Sequence, residues 1–332
     1  MYRVFSGMRP TGKLHLGHMA GALTNWVKLQ DEAECYFSIA DWHALMSDYA
    51  DPSRLRDNTR EILLDWLAVG LDPEKCAIFV QSHVTEHVEL HLALSMIVPL
   101  GWLERNPTYK EQILNLQNKD LSTYGFLGYP VLMASDILVY KANKVPVGED
   151  QSAHLELSRE TARRFNHFYG DVFPEPETLL THNPKIPGTD GRKMSKSYGN
   201  TLEIADEMPV LDKKIRTMMT DPARERRTDP GEPNKCPVWD LHKFFNPDKT
   251  QMDEIAQGCR TAGIGCIDCK KMLVAHVERH MTPVHERRRY WAERGNELSD
   301  ILRDGAKKAR ACAKRTMDEV YGALGMLRRF EG

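Results

Sequence analysis

Short apolar runs alternate with longer amphipathic segments over the first half of the chain. Apolar runs at 4–6, 35–40, 77–81 and 145–147 predict strands. Amphipathic segments at 17–30, 55–69, 86–98, 129–141 and 150–168 predict helices, with Gly70 as the C-cap of the second. Strands that alternate with helices are typical of a parallel sheet wrapped by helices. The pattern therefore predicts an α/β fold for this half.

The second half lacks the strand pattern. Pro and Gly concentrate between 174 and 190, which predicts a loop-rich exit from the first domain. Beyond 204 we expect helices, interrupted from 229 to 269 by a Pro/Gly/Cys-rich stretch, with the last two at 283–294 (Thr282 as N-cap) and 298–327. We therefore expect a parallel-sheet domain over 1–198, with an insertion near 106–123, and a mainly helical domain over 199–332. The last helix can return to the first domain.

The charge balance limits the classes of partner. Lys and Arg number 45 against 47 Asp and Glu, so nucleic acid would have to meet a local basic patch. The amino terminus lacks the apolar core and cleavage site of a signal peptide, and the most apolar stretch, 93–103, is interrupted by Pro99 and too short to span a bilayer. We expect a cytoplasmic protein that does not enter a membrane.

A candidate nucleotide site lies where the first strand meets the first helix, in the turn that ends with His-Leu-Gly-His at 15–18. In an open α/β sheet a nucleotide lies beside the carboxyl ends of strands and a helix amino terminus. Gly17 would let adenine approach the backbone. His15 and His18 could donate hydrogen bonds to phosphate oxygens as charge develops. The fragment alone also fits a metal pair or two surface histidines.

The second motif is Lys-Met-Ser-Lys-Ser at 193–197, on a Gly- and Ser-rich loop. Its two lysines can follow a triphosphate and neutralise it as pyrophosphate leaves, although a solvated connector has a similar composition. With 15–18, this pentapeptide resembles the paired signature of class I aminoacyl-tRNA synthetases. That resemblance implies a Rossmann-type catalytic domain and Mg²⁺-assisted use of ATP. An amino-acid carboxylate then attacks the α-phosphorus, and the aminoacyl group passes to the tRNA terminus.

Residues 145–151 narrow the resemblance. They are similar to the Val-Gly-Glu-Asp-Gln stretch of bacterial tryptophanyl-tRNA synthetases, whereas the related tyrosyl enzymes usually have Gly-Gly-x-Asp-Gln. Residues 7–12 and 41–44 agree with the tryptophanyl pattern, and the similarity runs along essentially the whole chain. The resemblance implies L-tryptophan, ATP and tRNA(Trp) as substrates and a homodimer as the assembly. A tyrosine–tRNA ligase and a synthetase-like RNA-binding protein that no longer charges tRNA are the alternatives.

The resemblance places the indole-binding aspartate at Asp136. Tyr129, Met133 and Asp136 share one helical face. An indole N–H and a tyrosine hydroxyl can both donate to a carboxylate, so Asp136 excludes phenylalanine without separating the other two. Tyr129 and Gln151 are expected to hold the ammonium group. The implied tryptophan pocket comprises Phe5, His43, Tyr129, Met133, Asp136, Val145, Val147 and Gln151, although most of these would be ordinary core residues in other proteins.

The resemblance also assigns the ATP-binding and catalytic residues. It implies that ATP contacts Arg9, Thr11, Gly17, His18, Gly148, Glu149, Asp150, Ile186, Lys193, Met194, Ser195, Lys196 and Ser197. His15, His18, Lys193 and Lys196 are the expected catalytic residues. Many family members have Gln in place of Arg9, so contacts of that turn can differ. Lys110 and Lys119 are both candidates for a further phosphate-seeking lysine.

Four of the seven cysteines are crowded together, at Cys236, Cys259, Cys266 and Cys269. Four thiolates at such spacing suit a tetrahedral zinc ion or a cubane iron–sulfur cluster. The spacing resembles that of the tryptophanyl subgroup that holds a [4Fe–4S] cluster, which we therefore expect, with Zn²⁺ as the alternative. Nearby basic residues could meet tRNA phosphates or belong to a solvated surface: Arg224, Arg226, Arg227, Arg260, Lys270 and Lys271.

Overall fold

A computed structural model of the chain describes residues 2–107, 109–110, 121–147, 152–180 and 186–327. Five strands of this part form one parallel sheet in the order β3-β2-β1-β4-β5. The strands are β1 (Arg3–Met8), β2 (Glu34–Ile39), β3 (Ala77–Val80), β4 (Lys144–Val147) and β5 (Glu177–Leu180). The strand order reverses between β1 and β4, and a ligand crevice forms outside the carboxyl ends of the strands at such a switch point. The predicted parallel-sheet α/β fold is confirmed.

Helices cover the sheet and make up the second half of the chain. The first half contains α1 (Leu16–His18), a π-helical turn (Met19–Leu23), α2 (Thr24–Leu29), α3 (Asp41–Asp48), α4 (Leu55–Val69), α5 (Glu86–Ser95), α6 (Leu100–Glu104), α7 (Tyr124–Leu138) and α8 (Ser152–Tyr169). The second half contains α9 (Met208–Thr217), α10 (Pro237–Phe245), α11 (Lys249–Arg260), α12 (Cys266–Ala292) and α13 (Gly295–Ala323). No helix within the described ranges is both long and apolar enough to cross a membrane.

Several predicted boundaries are confirmed, and others are wrong for identifiable reasons. Helix α4 has the predicted limits and ends at Gly70, whose φ of 120° suits glycine. Helix α7 begins five residues before the predicted start at Tyr129, because the hydroxyl of Thr123 caps it by accepting from the Phe126 amide at 3.2 Å. The Pro/Gly-rich stretch predicted as loop contains β5, which pairs with β4.

Two predictions for the second half are wrong. Pro283 lies inside the 27-residue helix α12 and does not start a helix. Long helices tolerate an interior proline when tertiary packing outweighs the lost hydrogen bond, and its neighbours Met281 and Val284 are buried. The stretch 229–269 also contains α10 and α11. Each has a strong amphipathic pattern that the surrounding Pro and Gly obscured.

The sheet has a hydrophobic core on each face. One face packs Trp26 and Trp66 with α4 and α12, and the other packs Phe79 and Tyr140 with α7 and α13. Helix α13 approaches β3 so closely that a Cβ on Gly305 would lie 1.8 Å from the carbonyl oxygen of Ile78. The last helix therefore packs on the edge strand of the first-half sheet. The three isolated cysteines, Cys35, Cys76 and Cys312, are buried.

Candidate active site

The two histidines of the first motif contact each other in the turn between β1 and α1. The backbone N–H of His15 donates to Nδ1 of His18 at 3.2 Å, and the ring centroids lie 3.8 Å apart. Because Nδ1 of His18 accepts, its neutral ring carries the proton on Nε2. Gly17 permits this packing, since a Cβ there would lie 3.0 Å from the His15 ring. The turn therefore presents the Nε2–H of His18 as a hydrogen-bond donor.

Both rings are neutral at physiological pH. Burial, followed by the neighbouring Lys196, lowers the pKa of His15 to about 4. Burial, followed by His15 and then the two lysines of the second motif, lowers the pKa of His18 to about 3. Each imidazole consequently keeps one N–H to donate and adds no fixed positive charge, which leaves charge neutralisation to the lysines.

The second motif lies against the first. A Cβ on Gly12, whose φ is 123°, would lie 3.0 Å from Nζ of Lys196, so the lysine side chain crosses the turn. Two backbone hydrogen bonds join the flanking segments, from Leu16 N to Leu202 O at 2.8 Å and from Ile204 N to Leu14 O at 3.0 Å. The structure thus brings the motifs together at the carboxyl end of β1, where the sheet order predicts a nucleotide.

The remaining predicted ATP residues differ in exposure. Arg9, Thr11, Lys193 and Ser197 are exposed, whereas Met194 and Ile186 are buried in the core that also contains Leu14 and Leu16. The side chains of Met194 and Ile186 therefore anchor the second motif. Their backbone groups are the part that a ligand on this surface could reach. Gly148, Glu149, Asp150, Gln151 and Lys119, and the side chain of Val147, lie outside the described residues.

Asn200 holds the second motif in place and was missed from the sequence. Its Oδ1 accepts the Ser195 backbone N–H at 2.8 Å, and its Nδ2 donates to Asp190 Oδ1 at 2.7 Å and Lys193 O at 3.1 Å. Gly188 leaves the space for this amide, because a Cβ there would lie 2.2 Å from Nδ2. Asn200 lies just beyond the motif in a segment without periodicity, so no sequence signal distinguished it.

Asp136 is a buried carboxylate with three side-chain donors. Nε2 of Gln81 lies 2.8 and 2.9 Å from its two oxygens, and Nε2 of His43 lies 2.9 Å from Oδ2. Nδ1 of His87 lies 2.6 Å from Oδ1. Burial raises the pKa of this carboxyl, but the contacts with His87 and His43 outweigh burial and hold the pKa well below its usual range. Asp136 is therefore ionised and can accept a further N–H.

Aromatic residues complete this pocket. Nε2 of His87 lies 2.7 Å from the Tyr140 hydroxyl, and Phe5 stacks on the Tyr140 ring with centroids 5.5 Å apart. Val145 is buried in the same core, and Met133 packs against it. Tyr129 is buried one helical turn before Met133, next to Phe126. The described residues of the predicted tryptophan pocket thus lie on α7, α3, β1 and β4.

Sequence reasoning missed Gln81 and His87 as pocket residues. Gln81 directly follows the apolar strand β3, a position at the carboxyl edge of the sheet where functional polar groups concentrate. That position was the available signal. His87 is fully buried on α5, and its role follows only from the contact with Asp136 across 49 residues.

The other three clustered cysteines lie within electrostatic range of Cys269. Burial, followed by the nearby Cys236, Cys259 and Cys266, raises the pKa of the Cys269 thiol to about 12. Cys236 immediately precedes α10 and Cys266 is the first residue of α12, so both lie at helix amino termini, which favour thiolates. No group of three or more potential ligands within the described ranges has the arrangement for a metal ion.

An arginine and a histidine lie next to two of these thiols. Nη1 of Arg224 lies 3.8 Å from Sγ of Cys259, and Nε2 of His242 lies 3.4 Å from Sγ of Cys269. A Cβ on Gly231 would lie 2.9 Å from Sγ of Cys259, so the backbone approaches the sulfur closely. Positive charge, N–H donors and glycine next to thiols are features of sites for anionic thiolate-bound groups.

The fold and the paired motifs define a class I aminoacyl-tRNA synthetase, and comparison with known proteins agrees. The protein-family model for tRNA synthetases of class I (W and Y) matches residues 1–282 of this chain. The tryptophan–tRNA ligase of Thermotoga maritima is 55% identical, covering 98% of this chain and 99% of that protein. That of Aquifex aeolicus is 45% identical, covering 98% and 100%. The chain belongs to this class I family and, within it, to the tryptophan–tRNA ligases.

Solved structures support the same assignment. The tryptophanyl-tRNA synthetase of Campylobacter jejuni, complexed with ADP and tryptophan, superposes with a TM-score of 0.88 at 34% identity, covering 98% of this chain and 100% of that one. The tyrosyl-tRNA synthetase of Archaeoglobus fulgidus, complexed with L-tyrosine, is 21% identical with a TM-score of 0.67, covering 86% and 90%. The latter likeness concerns the fold alone.

Proposed function

We propose that this chain activates L-tryptophan with ATP, releases pyrophosphate, and transfers tryptophan to the 3′-terminal ribose of tRNA(Trp). The observation that carries the proposal is the buried, ionised Asp136 with its donors Gln81, His43 and His87. Gln81 and His43 follow the carboxyl ends of β3 and β2, the edge of the parallel sheet at which the first ATP motif follows β1. The carboxylate of Asp136 accepts the indole N–H, and phenylalanine would leave it without that partner.

The ATP step needs positioning and charge stabilisation. His18 donates from Nε2 to a phosphate oxygen, and His15 acts beside it. Lys193 and Lys196 neutralise charge as pyrophosphate leaves. Mg²⁺ that accompanies ATP would share this neutralisation. The neutral state of both imidazoles supports a division of labour in which the histidines orient the phosphates and the lysines compensate charge.

The tryptophan side chain would lie among Phe5, Met133 and Val145, with its N–H directed at Asp136. We assign the ammonium group to Tyr129 and Gln151, and the remaining ATP contacts to Arg9, Thr11 and the 148–150 segment. These assignments follow the family resemblance. The burial of Phe5 and Val145 beside the Asp136 network supports them.

ATP–pyrophosphate exchange tests the proposal. Exchange should depend on L-tryptophan, with L-tyrosine much poorer in kcat/KM. Because both side chains can donate to Asp136, this discrimination rests on the shape and size of the pocket. Lys196→Ala is the inactive control. Exchange dominated by tyrosine would indicate the tyrosine ligase, and failure to form adenylate with any amino acid would indicate a non-charging RNA-binding protein.

We further propose that the four cysteines hold a [4Fe–4S] cluster. Their spacing in the sequence, their electrostatic proximity, the two helix amino termini and Arg224 beside Cys259 support an anionic thiolate-bound group. The cluster would stiffen the segment around α10 and α11, far in sequence from the ATP motifs. Anaerobically purified protein should be brown, with four irons per chain. A colourless protein with one zinc per chain would contradict this proposal in favour of zinc.

The assembly is proposed to be a homodimer. Leu92, Met96, Leu100 and Tyr124 have exposed fractions of 58%, 75%, 63% and 73%; they lie on α5, in the turn after it, on α6 and at the start of α7. Exposed large apolar side chains in one region are typical of an interface. Light scattering should give twice the chain mass, and Met96→Lys should give the monomer mass. A monomer for the unmodified chain would contradict the proposal.

A further inference from the structure

We propose that Asp65 and Arg288 are a positioning pair that holds the His15–His18 turn from the second half of the chain. Asp65 lies on α4 with no exposed surface. Its Oδ1 accepts from Nε of Arg288 on α12 at 2.8 Å, and its Oδ2 accepts the backbone N–H of Leu14 at 3.3 Å. The inference rests on the proposed function, because it concerns the geometry of the same ATP turn.

Leu14 immediately precedes His15 and is itself buried. A buried backbone N–H needs an acceptor, and Asp65 supplies it. The carbonyl of Leu14 accepts from Ile204, which follows the second motif. One carboxylate oxygen thus fixes the point from which both motifs extend, while the other is held by Arg288.

Helix α12 contacts the opposite side of this junction as well. Nε2 of His285 lies 3.1 Å from the carbonyl oxygen of Ile204. Arg288 also contacts the carboxylate of Glu61, one helical turn before Asp65 on α4. The carboxyl-terminal part of α12 therefore holds both segments, one through Asp65 and one directly.

The chemical nature of the pair argues for a positioning role. Helices α4 and α12 pack through apolar side chains such as Ile62 and Val284, and an apolar pair in place of Asp65 and Arg288 would pack them at least as stably. An apolar residue at 65 would, however, leave the Leu14 N–H without an acceptor. Asp65 and Arg288 thus fix the orientation of the backbone at Leu14, which apolar packing alone would not do.

The position of α12 gives the pair a further consequence. The helix begins at Cys266 and has 27 residues, so it extends about 40 Å at 1.5 Å per residue. The cysteine cluster lies at one end and Arg288 lies close to the other. A displacement of α12 would therefore move Arg288 and Asp65, and with them the ATP turn at Leu14.

The test compares kinetic and exchange effects in matched variants. Asp65→Asn and Arg288→Met should each lower kcat for tryptophan-dependent pyrophosphate exchange by about 10- to 100-fold and change the tryptophan KM by less than about twofold. Arg288→Lys should recover part of kcat. The double variant should be no worse than the poorer single variant, because the two residues act as one unit.

Arg287→Gln is the matched control. Arg287 lies on the same helix and donates from Nε to Ala68 O at 2.6 Å, without contacting the turn. This variant should keep kcat within about twofold of the unmodified chain. An equal loss of kcat in Arg287→Gln would overturn the proposal, since it would show a general effect of α4–α12 packing.

Amide hydrogen exchange supplies a readout independent of catalysis. In folded Asp65→Leu, which leaves no acceptor at this position, the Leu14 amide should exchange at least about tenfold faster, whereas amides in the first half of α4 should be unchanged. Unchanged protection of Leu14 would overturn the positioning role even if the chain charges tRNA. Failure of the unmodified chain to use tryptophan would instead count against the proposed function and leave the exchange result valid.

Discussion

Nδ1 of His87 lies 2.6 Å from Oδ1 of Asp136, and this contact fixes the hydrogen-bonding character of the pocket. In the tautomer whose Nδ1–H donates to Asp136, Nε2 accepts from the Tyr140 hydroxyl at 2.7 Å. Gln81 and His43 also direct donors at the same carboxylate. The carboxylate can accept one further hydrogen bond, whereas the side-chain donors of Gln81, His43 and His87 are already bound to Asp136. An indole N–H, which only donates, matches that arrangement better than a tyrosine hydroxyl, which also accepts.

The first prediction concerns Gln81. Gln81→Met keeps the side-chain length and removes the donor to both oxygens of Asp136. We expect the tryptophan KM to rise about tenfold, equivalent to about 1.4 kcal/mol, with little change in the ATP KM. Pyrophosphate exchange at varied tryptophan and ATP measures both constants.

Gln30→Met is the control for that experiment. Gln30 is also a buried glutamine, but it bonds to the backbone of Gly70 and Asp72, away from the pocket. It should reduce the free energy of unfolding without raising the tryptophan KM. If Gln30→Met raised the tryptophan KM as much as Gln81→Met, the donor network would not set substrate affinity.

The second prediction concerns Asn200. Asn200→Ala removes the acceptor of the Ser195 N–H and frees the backbone of the second motif. Since a buried amide left without its partner costs about 1–3 kcal/mol, kcat for exchange should fall about 10- to 100-fold. Gly188→Ala should have the same effect, because its new Cβ would displace the Asn200 amide. Normal kcat in both variants would show that the loop needs no such support.

The third prediction concerns the two neutral histidines. The pKa values of His15 and His18 are about 4 and about 3 in the folded chain, against 6.5 in the unfolded chain. Below pH 6.5 the unfolded chain therefore binds protons that the folded chain does not, so the free energy of unfolding falls as pH falls from 6.5 towards 4. Asp65 opposes this trend, because burial raises its pKa to about 6 and the folded carboxyl takes up a proton first.

Comparison with a variant isolates the histidine contribution. Urea titrations at pH 7 and pH 4.5 give the decrease in the free energy of unfolding between these two pH values. This decrease should be about 1–3 kcal/mol smaller for His18→Asn than for the unmodified chain. Asp65 is present in both proteins, so its contribution cancels. An equal loss in the two proteins would show that His18 titrates normally.

The fourth prediction concerns the contact between α13 and the sheet. Gly305→Ala introduces a Cβ 1.8 Å from the Ile78 carbonyl oxygen, so the helix must move away from β3. We expect a loss of about 1–3 kcal/mol in the free energy of unfolding. Gly295→Ala, whose Cβ would meet no atom within 4 Å, is the matched control and should be close to neutral. Equal stability of both variants would contradict this packing.

Local patterns predicted the parts of the fold that local forces specify. The four apolar runs predicted as strands are strands, and α4 begins and ends as predicted because its amphipathic pattern and Gly70 act within one segment. Strand β5 was missed because four residues between prolines gain their stability from pairing with β4, which no local pattern shows. Pro283 was misread for the same reason, since tertiary packing holds it inside α12.

The site was predictable to the extent that its residues lie in contiguous motifs. His15, His18 and the second motif were identified together, and the structure brings them into contact across the chain. Gln81 and His87 act through contacts with Asp136, which is 55 and 49 residues away in the sequence. Asn200 acts through three hydrogen bonds within its own loop, which no periodic pattern marks. Asp65 looked like one polar residue on an amphipathic helix, and only the position of Leu14 and Arg288 reveals its environment. Such roles depend on the folded geometry.

Charging of tRNA tests the central claim most directly. The purified chain is incubated with ATP, Mg²⁺ and a tRNA(Trp) transcript, and incorporation of labelled tryptophan or tyrosine is measured in parallel, with Asp136→Ala as the control. We predict tryptophanyl-tRNA as the product, background incorporation of tyrosine, and a large loss in the variant. Tyrosine incorporation that equals or exceeds tryptophan incorporation would contradict the account.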